Sequence, residues 1–356
     1  MKKSRAFMFV ILLTAIAAIA APAAHAKKVL IKLQQAYGAN LPTLGINPAW
    51  WAQQLNEVSG GDINVKIFEP GKLVAPFEIL DAVSAGKIDA GIAGDGFFAG
   101  KIPAGQIFSS IPFGPEAAEY MAWYYHGNGA KLHQWVYDES KFNVKVIPVT
   151  IIPPETAGWF KKPIASVEDF KGLKMRFYGL GGQMMQKLGM SVNLMPAGEL
   201  FPALEKGVID ATEFSTPAID QRLGFHKLVK YNYFPGWHQQ ATIIPVYFNK
   251  NVWNSLDKAQ QKIVEITCMA SMTNALAQGE YEQGAVIREN IEKNGVKNMF
   301  WSDEMLALFQ KTWEEVAKEQ CEKDPVFKKA FDDLMAFRKD YAYWQSNGFL
   351  PRNCKK

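Results

Sequence analysis

The stretch Leu173–Pro217, LKMRFYGLGGQMMQKLGMSVNLMPAGELFPALEKGVIDATEFSTP, decides the fold. Extended segments over Leu173–Phe177, Val192–Met195 and Val208–Phe214 alternate with helical patterns over Gly182–Leu188 and Gly198–Lys206. That alternation implies a parallel or mixed sheet covered by helices. Arg176 falls in the first segment and Glu213 near the end of the last, so a cation and an anion stand at neighbouring strand ends. The tail also has an echo. Ala203–Ala211 (ALEKGVIDA) matches Ala82–Ala90 (AVSAGKIDA), 121 residues earlier. Both read as a last helical turn, a glycine stop and a strand opening on Ile-Asp-Ala. Such a match marks either a common junction arising twice or two similar lobes.

Outward from this stretch the same style recurs. Val29–Gln35 reads as a strand, Pro48–Val58 as a helix, and Ile63, Val65 and Ile67 alternate as a half-buried strand does. A helix over Pro76–Ala85 and a strand over Ile88–Ala93 follow, and Val144–Ile152 is a further strand-like run. Ser166 and Asp169 have capping-box spacing. The last third is helical: Ser255 is the expected cap of a helix reaching Lys293, Asp303 and Glu304 open another, and Asp324-Pro325 opens a third. The expected division is lobe I over 27–150, with later segments returning to it, lobe II over 151–250, and a helical bridging region over 251–356. The third helix carries Phe327, Phe331, Leu334 and Phe337, then Tyr341 and Trp344, a stripe suited to its own core or to a second subunit.

Lys2, Lys3 and Arg5, the apolar run Phe7–Ala21 and Ala24-His25-Ala26 have the pattern of a cleaved secretory signal peptide over 1–26. No other run approaches the 18 or so apolar residues that span a bilayer. The expected product is an exported protein of the periplasm. Without the leader, 36 Lys and Arg face 35 Asp and Glu, a balance that argues against a nucleic-acid partner. A chain of this size exceeds what one core supports, so two lobes are expected. Of the three cysteines, Cys268 reads as a buried small hydrophobe, and Cys321 with Cys354 is the expected pair if any bridge forms.

The chain lacks GxxxxGK[ST], HExxH, GxSxG and CxxC. Gly179-Leu-Gly181-Gly182-Gln-Met184 is a poor dinucleotide fingerprint, because Met184 occupies the third glycine position. His126, His133, His226 and His238 are scattered and read as structural.

Several ordered motifs carry a resemblance: Asp169-Phe-Lys-Gly-Leu-Lys-Met-Arg176, Leu188-Gly189, Met195-Pro196, Ala203-Leu204, Gly207, Ile209-Asp210 and Glu213, with Phe248-Asn249-Lys250 further on. Together they resemble the signature of solute receptors of TRAP (tripartite ATP-independent periplasmic) transporters over most of the chain. The resemblance implies two α/β lobes bridged by strands and long C-terminal helices, a ligand enclosed between them, and delivery to a membrane permease. It places Arg176 on the ligand carboxylate, for which a guanidinium offers two matched donors.

Gly158-Trp159-Phe160, Ala211-Thr212-Glu213-Phe214 and Tyr233-Phe-Pro-Gly-Trp237 resemble the branch that binds 2-oxo or 2-hydroxy monocarboxylates through a bridging metal. The matching metal positions are Glu155, Glu213 and the main-chain carbonyl of Phe214. Glu155 departs from the branch, which carries glutamine there. Two carboxylates about 4 Å apart repel by roughly 4 kcal/mol at an effective dielectric near 20. A hard cation relieves this, and the extra charge favours Ca²⁺ over Na⁺. Among nearby aromatics, Tyr37, Phe98, Trp159 and Phe214 are the expected cavity walls and Phe177 a core residue, which suits a ligand with an apolar side chain. Some relatives pair through C-terminal helices, so a homodimer is among the expected partners. Two rivals stand at this stage: a secreted metal-assisted hydrolase using the same glutamates, and an ATP-driven uptake receptor.

Overall fold

The computed structural model describes residues 28–350. The expected signal peptide and Cys354 lie outside the described residues. Eleven strands among them form two mixed sheets.

The first sheet has the order β2-β1-β3-β10-β4, from Val29–Gln35 (β1), Ile63–Phe68 (β2), Ala90–Ile92 (β3), Val144–Ile152 (β4) and Thr242–Asn249 (β10). The second has the order β11-β9-β5-β8-β6-β7, from Gly158–Phe160 (β5), Lys174–Arg176 (β6), Ser191–Asn193 (β7), Ala211–Thr212 (β8), Tyr231–Phe234 (β9) and Lys297–Phe300 (β11). In the first sheet β1 runs parallel to β2 and β3, whereas β10 is antiparallel to β3 and β4. In the second, β6 runs parallel to β7 and β8, whereas β5 is antiparallel to β8 and β9. Read as β7-β6-β8-β5-β9, the second sheet repeats the first strand for strand. The expected division at 151–250 needs correction, because β10 belongs to the first sheet and β11, from beyond residue 250, to the second.

The sequence echo has a structural cause. Gly86 and Gly207 both take left-handed backbones (φ 72° and 70°) as helix stops. After each, two amides turn back to one carbonyl, Lys87 and Ile88 to Ala82, Val208 and Ile209 to Ala203. Asp89 then accepts the Lys32 N–H of β1 at 2.8 Å, and Asp210 accepts the Lys174 N–H of β6 at 3.2 Å. In each lobe the aspartate of Ile-Asp-Ala pins the next strand over.

The chain passes between sheets at residues 153–157 and 235–241, which lie side by side. Glu155 N–H donates to Gln239 O and Ala157 N–H to Tyr233 O. The helix Lys258–Glu292 is a third link, packing on β4 and on Pro217–Leu223 of the second lobe. Its cap is Asp257, in a capping box with Gln260, rather than Ser255, which ends the preceding helix. Asn47 joins this helix to the first lobe, donating to Ser271 Oγ at 2.8 Å and accepting from Asn274 Nδ2 at 2.9 Å. The helix Asp303–Lys323 packs on the second lobe and Pro325–Gly348 on the first. Phe327 and Leu334 are buried in the protein's own core and Phe331, Phe337 and Tyr341 are half-buried, so of the expected docking stripe only Trp344 stands exposed, with Tyr343 beside it. Among the described residues no helix is long and apolar enough to cross a membrane.

Candidate functional site

Where the sheets meet, β6 and β8 extend their pairing by one residue: Glu213 N–H donates to Arg176 O at 3.0 Å. This sets the two side chains together. Arg176 donates from Nη1 to Glu213 Oε2 at 3.1 Å and to the Glu213 carbonyl, and from Nε to Met195 O at 3.3 Å. Its guanidinium lies 4.9 Å from the centre of the Phe214 ring, and it is 1% exposed. Glu213 Oε2 also accepts the Tyr178 N–H at 2.9 Å.

Glu155 arrives from the first crossing segment and is buried rather than a solvated loop residue. Gln239 Nε2 (3.3 Å) and Thr242 Oγ1 (3.4 Å) donate to its Oε1. Gly236 packs on it so closely that a Cβ there would stand 2.1 Å from the Glu155 carbonyl oxygen. From the second crossing segment comes His238, whose Nε2 is 3.5 Å from Glu213 Oε1 and 3.7 Å from Glu155 Oε2.

Those two carboxylate oxygens, both His238 nitrogens, Gln239 Oε1 and Ser215 Oγ are buried without a hydrogen-bond partner. Native interiors leave few such atoms, so their convergence here marks a place built to hold something. Ligand atoms of Glu155, Glu213 and His238 lie within 4.8 Å of one another. Oxygens from two carboxylates, aimed at one point, are a donor set for a hard cation, and the residues therefore fit the metal expected from the sequence.

The electrostatics agree. Burial pushes the Glu155 carboxyl up to about 8, and Glu213 adds to the rise against His238. Burial also acts upward on Glu213, but Arg176 and His238 outweigh it and hold that carboxyl below its ordinary value. Burial disfavours charge on His238, yet the two carboxylates raise it to about 9.

Glu155 and Arg176 open on a small cavity, with Ser215, Gln239 and Thr242 beside them. Tyr37, Phe97, Tyr178 and Phe214 form its aromatic wall, with Leu44, Ile152 and Ile244 beside them. The structure thus brings together Arg176, Glu155, Glu213, Tyr37 and Phe214. Two expected wall residues lie elsewhere. Trp159 is in the core behind the site, donating from Nε1 to Asp220 Oδ2 at 2.8 Å. Phe98 packs inside the first lobe against Tyr247, while its neighbour Phe97 faces the cavity. Phe177 is core, edge-on to His238 at 4.9 Å. Sequence reasoning missed His238. The one available signal was the charge imbalance of two predicted carboxylates against one arginine.

Comparisons with known proteins converge. The sequence profile of the bacterial extracellular solute-binding proteins, family 7 (DctP), matches residues 38–324. A monocarboxylate 2-oxoacid-binding periplasmic protein of Nostoc is 36% identical over 293 residues, covering 82% of this chain and 80% of that protein. The chain superposes on a TRAP periplasmic solute-binding protein of Colwellia psychrerythraea with bound calcium and pyruvate (TM-score 0.86, 31% identity, 90% and 98% coverage). A homologue from Pseudoalteromonas atlantica with bound sodium and pyruvate matches equally well (TM-score 0.86, 29% identity, 90% and 97% coverage). One from Bordetella bronchiseptica, a dimer with copurified calcium and picolinate, has TM-score 0.88 at 28% identity, with 90% and 95% coverage. Two sheets of one topology, a buried arginine and paired glutamates between them, and a profile match across both lobes lead to one assignment: the chain belongs to the family 7 extracellular solute-binding proteins, the periplasmic receptors of TRAP transporters.

Proposed function

We propose that the cavity takes a small 2-oxo or 2-hydroxy monocarboxylate together with a cation, for delivery to a TRAP permease. The observation that carries this reading is the pair of buried carboxylate oxygens without hydrogen-bond partners on Glu155 and Glu213, beside a cavity that Glu155 and Arg176 line. Arg176 meets the ligand carboxylate with the two N–H groups of Nη2, since Nε and Nη1 are taken by Met195 and Glu213. Glu155, Glu213 and the Phe214 carbonyl hold the ion, with His238 beside them. The ion, when bound, supplies positive charge to the ligand's carboxylate and 2-oxygen. Two acidic ligands rather than one favour Ca²⁺ over Na⁺. The pyruvate-bound and calcium- or sodium-bound relatives support this reading, as does the 2-oxoacid-binding Nostoc protein. Phe97 and Phe214 favour acids with a small apolar side chain over dicarboxylates.

Isothermal titration with pyruvate and its longer homologues, before and after EDTA treatment in low-sodium buffer, tests the proposal. Binding should be lost on chelation and restored by Ca²⁺. Affinity unchanged by EDTA would remove the ion from the site. A ligand at a hundred times its Kd should add about 2.7 kcal/mol of stability. For assembly, the exposed Tyr343 and Trp344 suit a second copy of the chain, and sedimentation of Tyr343→Ala/Trp344→Ala against wild type tests that. Equal masses would exclude the dimer through this helix.

A further inference from the structure

Tyr178, besides its place in the cavity wall, makes a contact across the cleft. It follows β6, caps the helix Gly179–Lys187, and sends its phenol from the second lobe into the first. There Oη accepts the Gly96 N–H at 2.8 Å and lies 3.0 Å from Ser109 Oγ, while its ring meets Phe97 edge-on at 5.6 Å. Burial pushes the phenol well above its usual pKa, so it stays neutral and its oxygen can accept from Gly96 while its proton is free to go to Ser109.

The receiving turn, Gly94-Asp95-Gly96, is shaped for this guest. A Cβ on Gly94 would stand 2.4 Å from Tyr178 Oη, and one on Gly96 would stand 2.4 Å from Cζ, so only glycine leaves room. Asp95 points the other way, into the core of the first lobe. Tyr247 donates to it at 2.9 Å, Tyr137 donates as well, and His133 Nε2 lies at 3.1 Å. The socket is therefore anchored in its own lobe. On the opposite side, the Tyr178 N–H sits on Glu213 Oε2, the oxygen that also takes Arg176.

We propose that Tyr178 is the latch of the cleft: its hydroxyl seats in the Gly94–Gly96–Ser109 socket when the lobes close, and the backbone that carries it is positioned by the Arg176–Glu213 pair that meets the ligand. Residence of the ligand then depends on a lobe-to-lobe bond as well as on the groups that recognise it. The idea rests on the reading of the cavity as a carboxylate site.

Tyr178→Phe keeps the ring and strands the Gly96 N–H only in the closed state. Affinity for pyruvate with Ca²⁺ should fall about tenfold, carried by faster dissociation in stopped flow, with the ligand-free melting temperature unchanged. Ser109→Ala, at a residue away from the cavity wall, should shift dissociation in the same direction by less. Both variants binding within about twofold of wild type would overturn the latch. So would a loss confined to the association rate, or a lowered ligand-free melting temperature with affinity kept. If wild type binds no 2-oxo or 2-hydroxy acid, the ligand reading fails alone, and hydrogen exchange in the presence of whichever carboxylate a thermal-shift screen shows the wild type to bind judges the latch. Exchange of the Gly96 amide about tenfold faster in Tyr178→Phe upholds it, and equal rates refute it.

Discussion

At the scale of single residues, the site is an exercise in charge held out of water. Arg176 is no surface arginine waiting for a ligand; it is already paired with Glu213 in the core of the molecule. Removing it outright would leave a buried carboxylate with one fewer partner, at a cost of about 3–5 kcal/mol in stability. Arg176→Ala is therefore expected to weaken the fold along with binding. Arg176→Lys is the sharper probe, since it keeps the charge and loses the planar fork. It should weaken ligand binding by about 2 kcal/mol, read by titration calorimetry, with a far smaller drop in melting temperature. Glu155, Glu213 and Arg176 were legible because each sits in a motif of ordered, spaced residues. His238 was not, because a lone histidine after Pro-Gly-Trp has no ligand spacing to declare it. Phe97 and Phe98 exchanged roles because they lie in a short 3-10 turn, where the alternation that guides strand reading does not apply.

At the scale of elements, glycine chemistry separates structural stops from functional contacts. Gly207 has a left-handed backbone but nothing within 4 Å of an added Cβ. Gly207→Ala should cost about 1–2 kcal/mol through backbone strain alone, leaving ligand affinity untouched. Gly236 has the opposite problem: its added Cβ would strike the Glu155 carbonyl. Gly236→Ala must displace the crossing segment that carries Glu155, costing about 1–3 kcal/mol and, unlike Gly207→Ala, weakening Ca²⁺ binding. Melting curves with and without Ca²⁺ distinguish the two. The helix-glycine-strand echo was visible in nine letters of sequence, whereas its partner interactions were not. That Asp89 and Asp210 each hold a backbone amide of a neighbouring strand follows only once β1 and β6 are seen beside them. The strands β5 to β8 of the second lobe are two or three residues long, too short for periodicity to fix their ends, and the expected Val208–Phe214 strand survives as Ala211–Thr212.

At the scale of the whole molecule, two lobes of one topology have been given different chemistry. The pinned pairs Lys32–Asp89 and Lys174–Asp210 align Arg176 with Gln34 and Glu213 with Ile92. Gln34 spends its amide on Phe68 and Glu69 carbonyls, closing its own lobe rather than a ligand site. The charged lobe carries Arg176 and Glu213, and the other supplies the socket and much of the cavity wall. The bridging segments carry a further implication. Glu155 and Gln239 lie on the paired strands of chain that pass between the lobes, where rotation of one lobe against the other produces least displacement. A passenger seated on an axle is carried nowhere when the wheel turns. If the proposed cation is held by Glu155, it should stay aboard through cycles of opening that exchange the acid, so radiolabelled Ca²⁺ should leave the protein more slowly than pyruvate does.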